Sequence, residues 1–198
     1  RRLSFKESVE LKALPDGTFE INGIAPSVDD LSPLAGLPLS GLRIEPDTDV
    51  TAPRLVAARF TDLSPLAGMP LRVLHMPSQH LSDLSPLRGA PLEELDINWN
   101  QISDLGPLDQ APLLRLNCGA NPIRDLGPVA DKLLVHLNIS LTQIRSLEPL
   151  EGMPLTLLAC SALQASDDLT PLRNMPLRYL NISGTGVVDL APLAGVPL

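Results

Sequence analysis

The chain has 198 residues, enough for one domain with a core of its own, and at 3% aromatic content that core must be aliphatic. A net charge of −8 argues against general nucleic-acid binding and against attraction to anionic membrane, because the partner would be repelled. No apolar run approaches the roughly 18 residues of a membrane-spanning helix.

The chain opens Arg1-Arg2-Leu3-Ser4-Phe5, without an initiator Met or a signal-peptide pattern, which leads us to expect a fragment or a processed chain. Two stretches rich in strand formers, 3–11 and 18–21, flank Pro15-Asp16-Gly17. That arrangement predicts a β-hairpin. Residues 1–27 are expected to be an N-terminal cap.

From residue 28 onward one phrase returns eight times, beginning as Asp30-Leu31-Ser32-Pro33-Leu34 and ending as Asp189-Leu190-Ala191-Pro192-Leu193. Its first Leu falls at 31, 63, 84, 105, 126, 147, 169 and 190, so five of seven intervals are 21 residues. The 21 prolines therefore recur at fixed places, which weakens disorder as their explanation. The one interval of 32 residues contains Glu45-Pro46-Asp47-Thr48-Asp49, an acidic loop or degenerate half repeat. A Ca²⁺ site there lacks the glycine and closing glutamate of an EF-hand loop.

Between phrases runs Leu-x-x-Leu-x-Ile-x-x-Asn-x-Ile, clearest as Leu92, Leu95, Ile97, Asn100 and Ile102. The alternation at Leu95-Asp96-Ile97 predicts one short strand per repeat. Stacked in parallel at about 4.8 Å, eight such strands make a sheet on the order of 40 Å long. Ser or Gly before Pro fits a helical N-cap, and Gly at 36, 68, 89, 152 and 195 stops the turn. The return arm should be 3₁₀-like, since only about one helical turn fits. Polar residues at 100, 121, 142 and 185 should bond backbone groups inside the bend after the strand.

These two phrases resemble the bacterial leucine-rich-repeat family, notably internalin-like arrays and the repeat arms that follow bacterial serine/threonine kinase domains. The resemblance covers residues 28–198. It implies an α/β solenoid, a right-handed superhelix with a parallel β-sheet on the concave face and short 3₁₀ turns on the convex face. About eight repeats are expected, without a C-terminal cap, since Leu198 sits where another repeat would begin.

Little in the sequence points to catalytic or metal chemistry. Cys118 and Cys160 take inward strand positions two repeats apart, near 10 Å, too far for a disulfide. Two buried free thiols fit a reducing, cytoplasmic setting. His75 and His136 fall on the open face three strands apart, and no cluster has metal-ligand spacing. No catalytic residue or cofactor is nominated, and the chain is expected not to be an enzyme. The sequons at Asn138 and Asn181 begin on repeat strands and read as accidental.

A solenoid offers its concave sheet as an extended binding surface. Outward positions vary while the Leu scaffold does not, which suits recognition of a protein or peptide. The candidates are His75, Glu94, Asp96, Asn98, Trp99, Arg115, Asn117, His136, Asn138 and Tyr179. Trp99, beside small counterparts Ser78 and Ala120, is either a hot spot or a ring folded over the sheet edge. Glu94 and Asp96 beside Arg115 suggest a cross-strand ion pair. The expected function is a binding arm of a larger bacterial signalling protein, such as a serine/threonine kinase. The alternatives are a structural spacer or oligomerisation arm, and the non-catalytic portion of an enzyme. A monomer, or a weak oligomer joined at its open edge, is expected.

Overall fold

The computed structural model describes residues 9–24, 30–44, 61–163 and 167–198. The start of the expected hairpin (residues 1–8) and the acidic segment 45–49 lie outside the described residues.

Among the described residues nine strands form one sheet in chain order: β1 (Glu10–Ala13), β2 (Phe19–Ile24), β3 (Leu39–Ile44), β4 (Val73–His75), β5 (Glu94–Asp96), β6 (Arg115–Asn117), β7 (His136–Asn138), β8 (Leu157–Ala159) and β9 (Tyr179–Asn181). β1 pairs antiparallel with β2, and every later pairing is parallel. The Pro15-Asp16-Gly17 turn joins the first two, with Gly17 at φ 83° and the Asp16 carboxylate accepting the Thr18 amide at 3.0 Å. β2 runs three residues further than its sequence pattern suggests and also pairs with β3. Its far edge therefore meets the solenoid directly, and Ile21 and Ile24 join the common core.

The inward residue of each repeat strand stacks on the next: Leu42, Leu74, Leu95, Leu116, Leu137 and Leu158 are in register, and none is more than 2% exposed. Burying one such side chain stabilises by about 1.5–3 kcal/mol. Each rung buries its Leu only against its neighbours, so stability belongs to the array. Cys118 and Cys160 are buried in the same core as free thiols, with β7 between their strands. Burial pushes both thiols up to about 12.

The return arms are three-residue 3₁₀ turns, as in Ser85–Leu87. Their N-terminal chemistry corrects the expected Ser or Gly cap. Ser85 lies within the turn, and Leu84 flanks it without a capping side chain. The Asp two residues ahead acts instead: Asp83 Oδ1 accepts the Ser85 amide at 2.8 Å, and Asp104 does the same for Gly106 at 2.7 Å. This is an Asx turn, and it explains why Asp opens the phrase.

The glycines that close these turns take positive φ, as at Gly68 (72°) and Gly89 (79°). Where Gln110 and Asp131 replace glycine, the left-handed conformation is costly. There the chain continues right-handed instead, with Asp109 at φ −50°, ψ −39° and Ala130 at φ −61°, ψ −39°.

Past most of the repeat strands the bend is filled by a polar side chain, buried at Asn100, Asn121 and Thr142 and partly buried at Thr185. Asn100 Oδ1 accepts the Gln79 and Leu81 amides at 2.9 Å, and its Nδ2 donates to the carbonyls of Met76 and Ile97 at 2.9 Å. Asn121 bonds Ile102, Ile97 and Cys118 in the same manner. Thr142 and Thr185 each donate one hydroxyl bond, to Ile139 and Ile182.

Candidate functional site

Strand alternation sends two residues per repeat to the concave face, and parallel register aligns them in rows. One row reads Val73, Glu94, Arg115, His136, Leu157, Tyr179. The other reads Arg43, His75, Asp96, Asn117, Asn138, Ala159, Asn181. His75 and His136 thus stand in different rows three strands apart, yet both line one shallow dish of about 300 Å³. Glu94, Asp96, Arg115, Asn117 and Asn138 line it as well.

Glu94 is the electrostatic hub of the dish. Arg115 Nε donates to its Oε2 at 2.8 Å, and His75 Nε2 lies 2.6 Å from its Oε1. The ion pair expected around Arg115 therefore falls to Glu94 and leaves Asp96 out. Partial burial raises the Glu94 pKa, but the bonds from Arg115 and His75 outweigh it and hold the carboxyl below its ordinary range. Asp96 accepts the Asn98 amide at 3.1 Å and the Asn117 Nδ2 at 3.0 Å. It makes no ion pair among the described residues. The Asn117 Oδ1, on the other side of that amide, is buried without a hydrogen-bond partner. Asn138 Oδ1 accepts the Ser140 amide at 3.0 Å. Tyr179 is half exposed at the far end of its row.

Trp99 does not fold over the sheet edge into packing: it is 58% exposed. It belongs to a row that the sequence pattern does not reveal. Ser78, Trp99, Ala120, Leu141 and Ala162 follow their strands at positive φ, between 53° and 59°. At the equivalent place the last repeat has Gly184, at φ 68°. That glycine is the one sequence signal for a left-handed bend. For an L residue this conformation costs roughly 1–2 kcal/mol. Each of these residues donates its amide to the next repeat, as Trp99 does to Gly119 at 3.0 Å, so the sheet ladder fixes the conformation. Leu141, also in this row, is 52% exposed.

Among the described residues no group of three or more His, Cys, Asp or Glu could hold a metal ion. No helix among them is long and apolar enough to cross a membrane.

One short parallel strand per repeat, a buried Leu stack and 3₁₀ returns define a leucine-rich-repeat solenoid. A family model described as Leucine Rich repeat matches residues 90–106. An internalin (inlF) from Listeria monocytogenes has a similar solved structure, with a TM-score of 0.71 and 29% identity over 85% of this chain and 48% of its own. Internalin C2 (inlC2) from the same species is also similar, with a TM-score of 0.64 and 27% identity over 82% of this chain and 66% of its own. The chain thus spans about half the length of the first and about two thirds of the second. No curated protein matches by sequence. The fold is thus a leucine-rich-repeat solenoid, similar to these two bacterial internalins.

Proposed function

We propose that the concave face of this chain binds a protein or peptide ligand, with Trp99, Glu94, Asp96, Asn98, His75, Arg115, Asn117, His136, Asn138 and Tyr179 as the contact surface. The observation that carries this is the contrast between inward and outward strand positions. Inward, the core stacks Leu on Leu; outward, the row Val73, Glu94, Arg115, His136, Leu157, Tyr179 changes at every rung, and several polar side chains group around one dish. An exposed Trp at the end of that surface has the character of a binding hot spot.

The chain acts as a binding arm without catalysis of its own. Its likeness to repeat arms of bacterial serine/threonine kinases supports attachment to such a kinase or another signalling domain. Two buried free thiols support a reducing, cytoplasmic setting. The full-length gene sequence tests the attachment.

A photo-crosslinker at Asn98 or His136, compared with one at Glu151 away from the sheet, tests the binding face. Partner adducts are expected from the first two positions only. Adducts from Glu151 alone, or unchanged capture by a Trp99→Ala/Asp96→Arg variant, would sink the concave-face proposal.

A further inference from the structure

Trp99 and Leu141 are the two large side chains in a row otherwise made of Ser78, Ala120, Ala162 and Gly184. Both are more than half exposed, and both are held at positive φ, where large side chains are disfavoured. Neither core packing nor hydration accounts for a Trp and a Leu there, so their apolar surface is available to be covered from outside. They stand two strand spacings apart, about 10 Å, with the methyl of Ala120 between them. Only that small side chain separates the two large ones along the row, a width that suits one inserted side chain.

The neighbouring charge restricts what can enter. Glu94 is already occupied by Arg115 and His75. Asp96, three residues before Trp99, accepts only neutral amides and makes no ion pair among the described residues. With a chain charge of −8, a cationic partner group is also favoured at long range.

We infer that Trp99 and Leu141 are jaws that take one aliphatic or aromatic side chain of a partner polypeptide over Ala120. Asp96 receives a Lys or Arg two or three residues away in the same segment. This rests on the concave-face reading and adds the chemistry of the partner.

Random linear peptides displayed on phage and selected against the whole chain provide the test. Trp99 is the sole Trp, so its emission reports occupancy of the jaws directly. Selected peptides should pair an apolar residue with Lys or Arg two or three positions away, and should shift that emission. Leu141→Ser should weaken them about tenfold or more, the loss expected when one hot-spot contact is removed. Asp96→Asn should abolish the preference for Lys over Glu while leaving the apolar contact. If selected peptides ignore Leu141 and Asp96 but lose affinity with Arg115→Ala or His136→Ala, the jaws are wrong and the concave-face reading stands. If all four substitutions leave binding unchanged, both are wrong. A selection that yields no binder overturns the jaws as a peptide site.

Discussion

The side chain of Asn100 accepts the backbone amide of Gln79 at 2.9 Å, one repeat away, in a fully enclosed bend. Replacing Asn100 with Ala orphans buried amides and carbonyls in two repeats at once, and each such group costs about 1–3 kcal/mol. Asn100→Ala is therefore expected to lose about 3 kcal/mol or more of unfolding free energy, read by urea denaturation. Thr142→Ala, which removes a single hydroxyl bond, should lose about 1 kcal/mol. Equal losses would mean that the bend tolerates an unfilled interior.

Backbone strain beneath the jaws predicts an inverse relation between stability and binding. Leu141→Gly removes an exposed side chain from a residue at φ 59°. Relief of the left-handed strain outweighs the extra unfolded-chain entropy of glycine, so stability should hold or rise by up to about 1 kcal/mol. The same substitution should weaken peptide binding. A loss of stability would show that Leu141 packs more than its exposure implies.

Protonation should dismantle the Glu94 hub in a defined direction. Its folded pKa lies below the ordinary value of 4.5. The stabilisation is therefore complete above that value and disappears as pH falls through the lowered folded pKa. Glu94→Gln should cost about 1 kcal/mol at neutral pH, the upper end for partly exposed pairs. The gap to the parent chain should close in acid. Denaturation midpoints of both proteins across that pH range check this, and a constant gap would show that charge is not the cause.

Thiol chemistry offers a test of the core. Cys118 and Cys160 are buried, and burial pushes each thiol up to about 12, so almost no reactive thiolate exists near neutral pH. A thiol-specific reagent should label neither in the folded chain and both in denaturant. Rapid labelling without denaturant would show that the array opens locally at β6 or β8.

Much of the architecture was legible in the sequence because the Leu spacing is a direct image of the core. Leu95 and Ile97 face inward and Glu94 and Asp96 outward because strand alternation admits no other arrangement. Turn chemistry was harder. Ser85 has the side chain of a helix cap, but the 3₁₀ turn places it one residue too far in, and Asp83 takes the role. The left-handed row was hidden because hydrogen bonds to the next repeat impose it, and no local preference of Trp99 or Leu141 announces it. Pairing at the dish depended on side-chain reach: Arg115 meets Glu94 directly across the register, while Asp96 faces Asn117. Sequence spacing alone does not separate those two carboxylates.

The Asn ladder is uneven along the array. Asn100 and Asn121 each stitch into the repeat before them, whereas Thr142 and Thr185 bond only within their own bends and the buried Leu163 fills the place between them. Hydrogen exchange should therefore be slowest between residues 79 and 123. Beyond Asn121 the buried Asn stitch gives way to single part-buried bonds, Thr156 Oγ1 to the Val135 carbonyl and the Ser161 amide to Ser140 Oγ, both at 3.1 Å, so the later repeats are expected to open before the earlier ones.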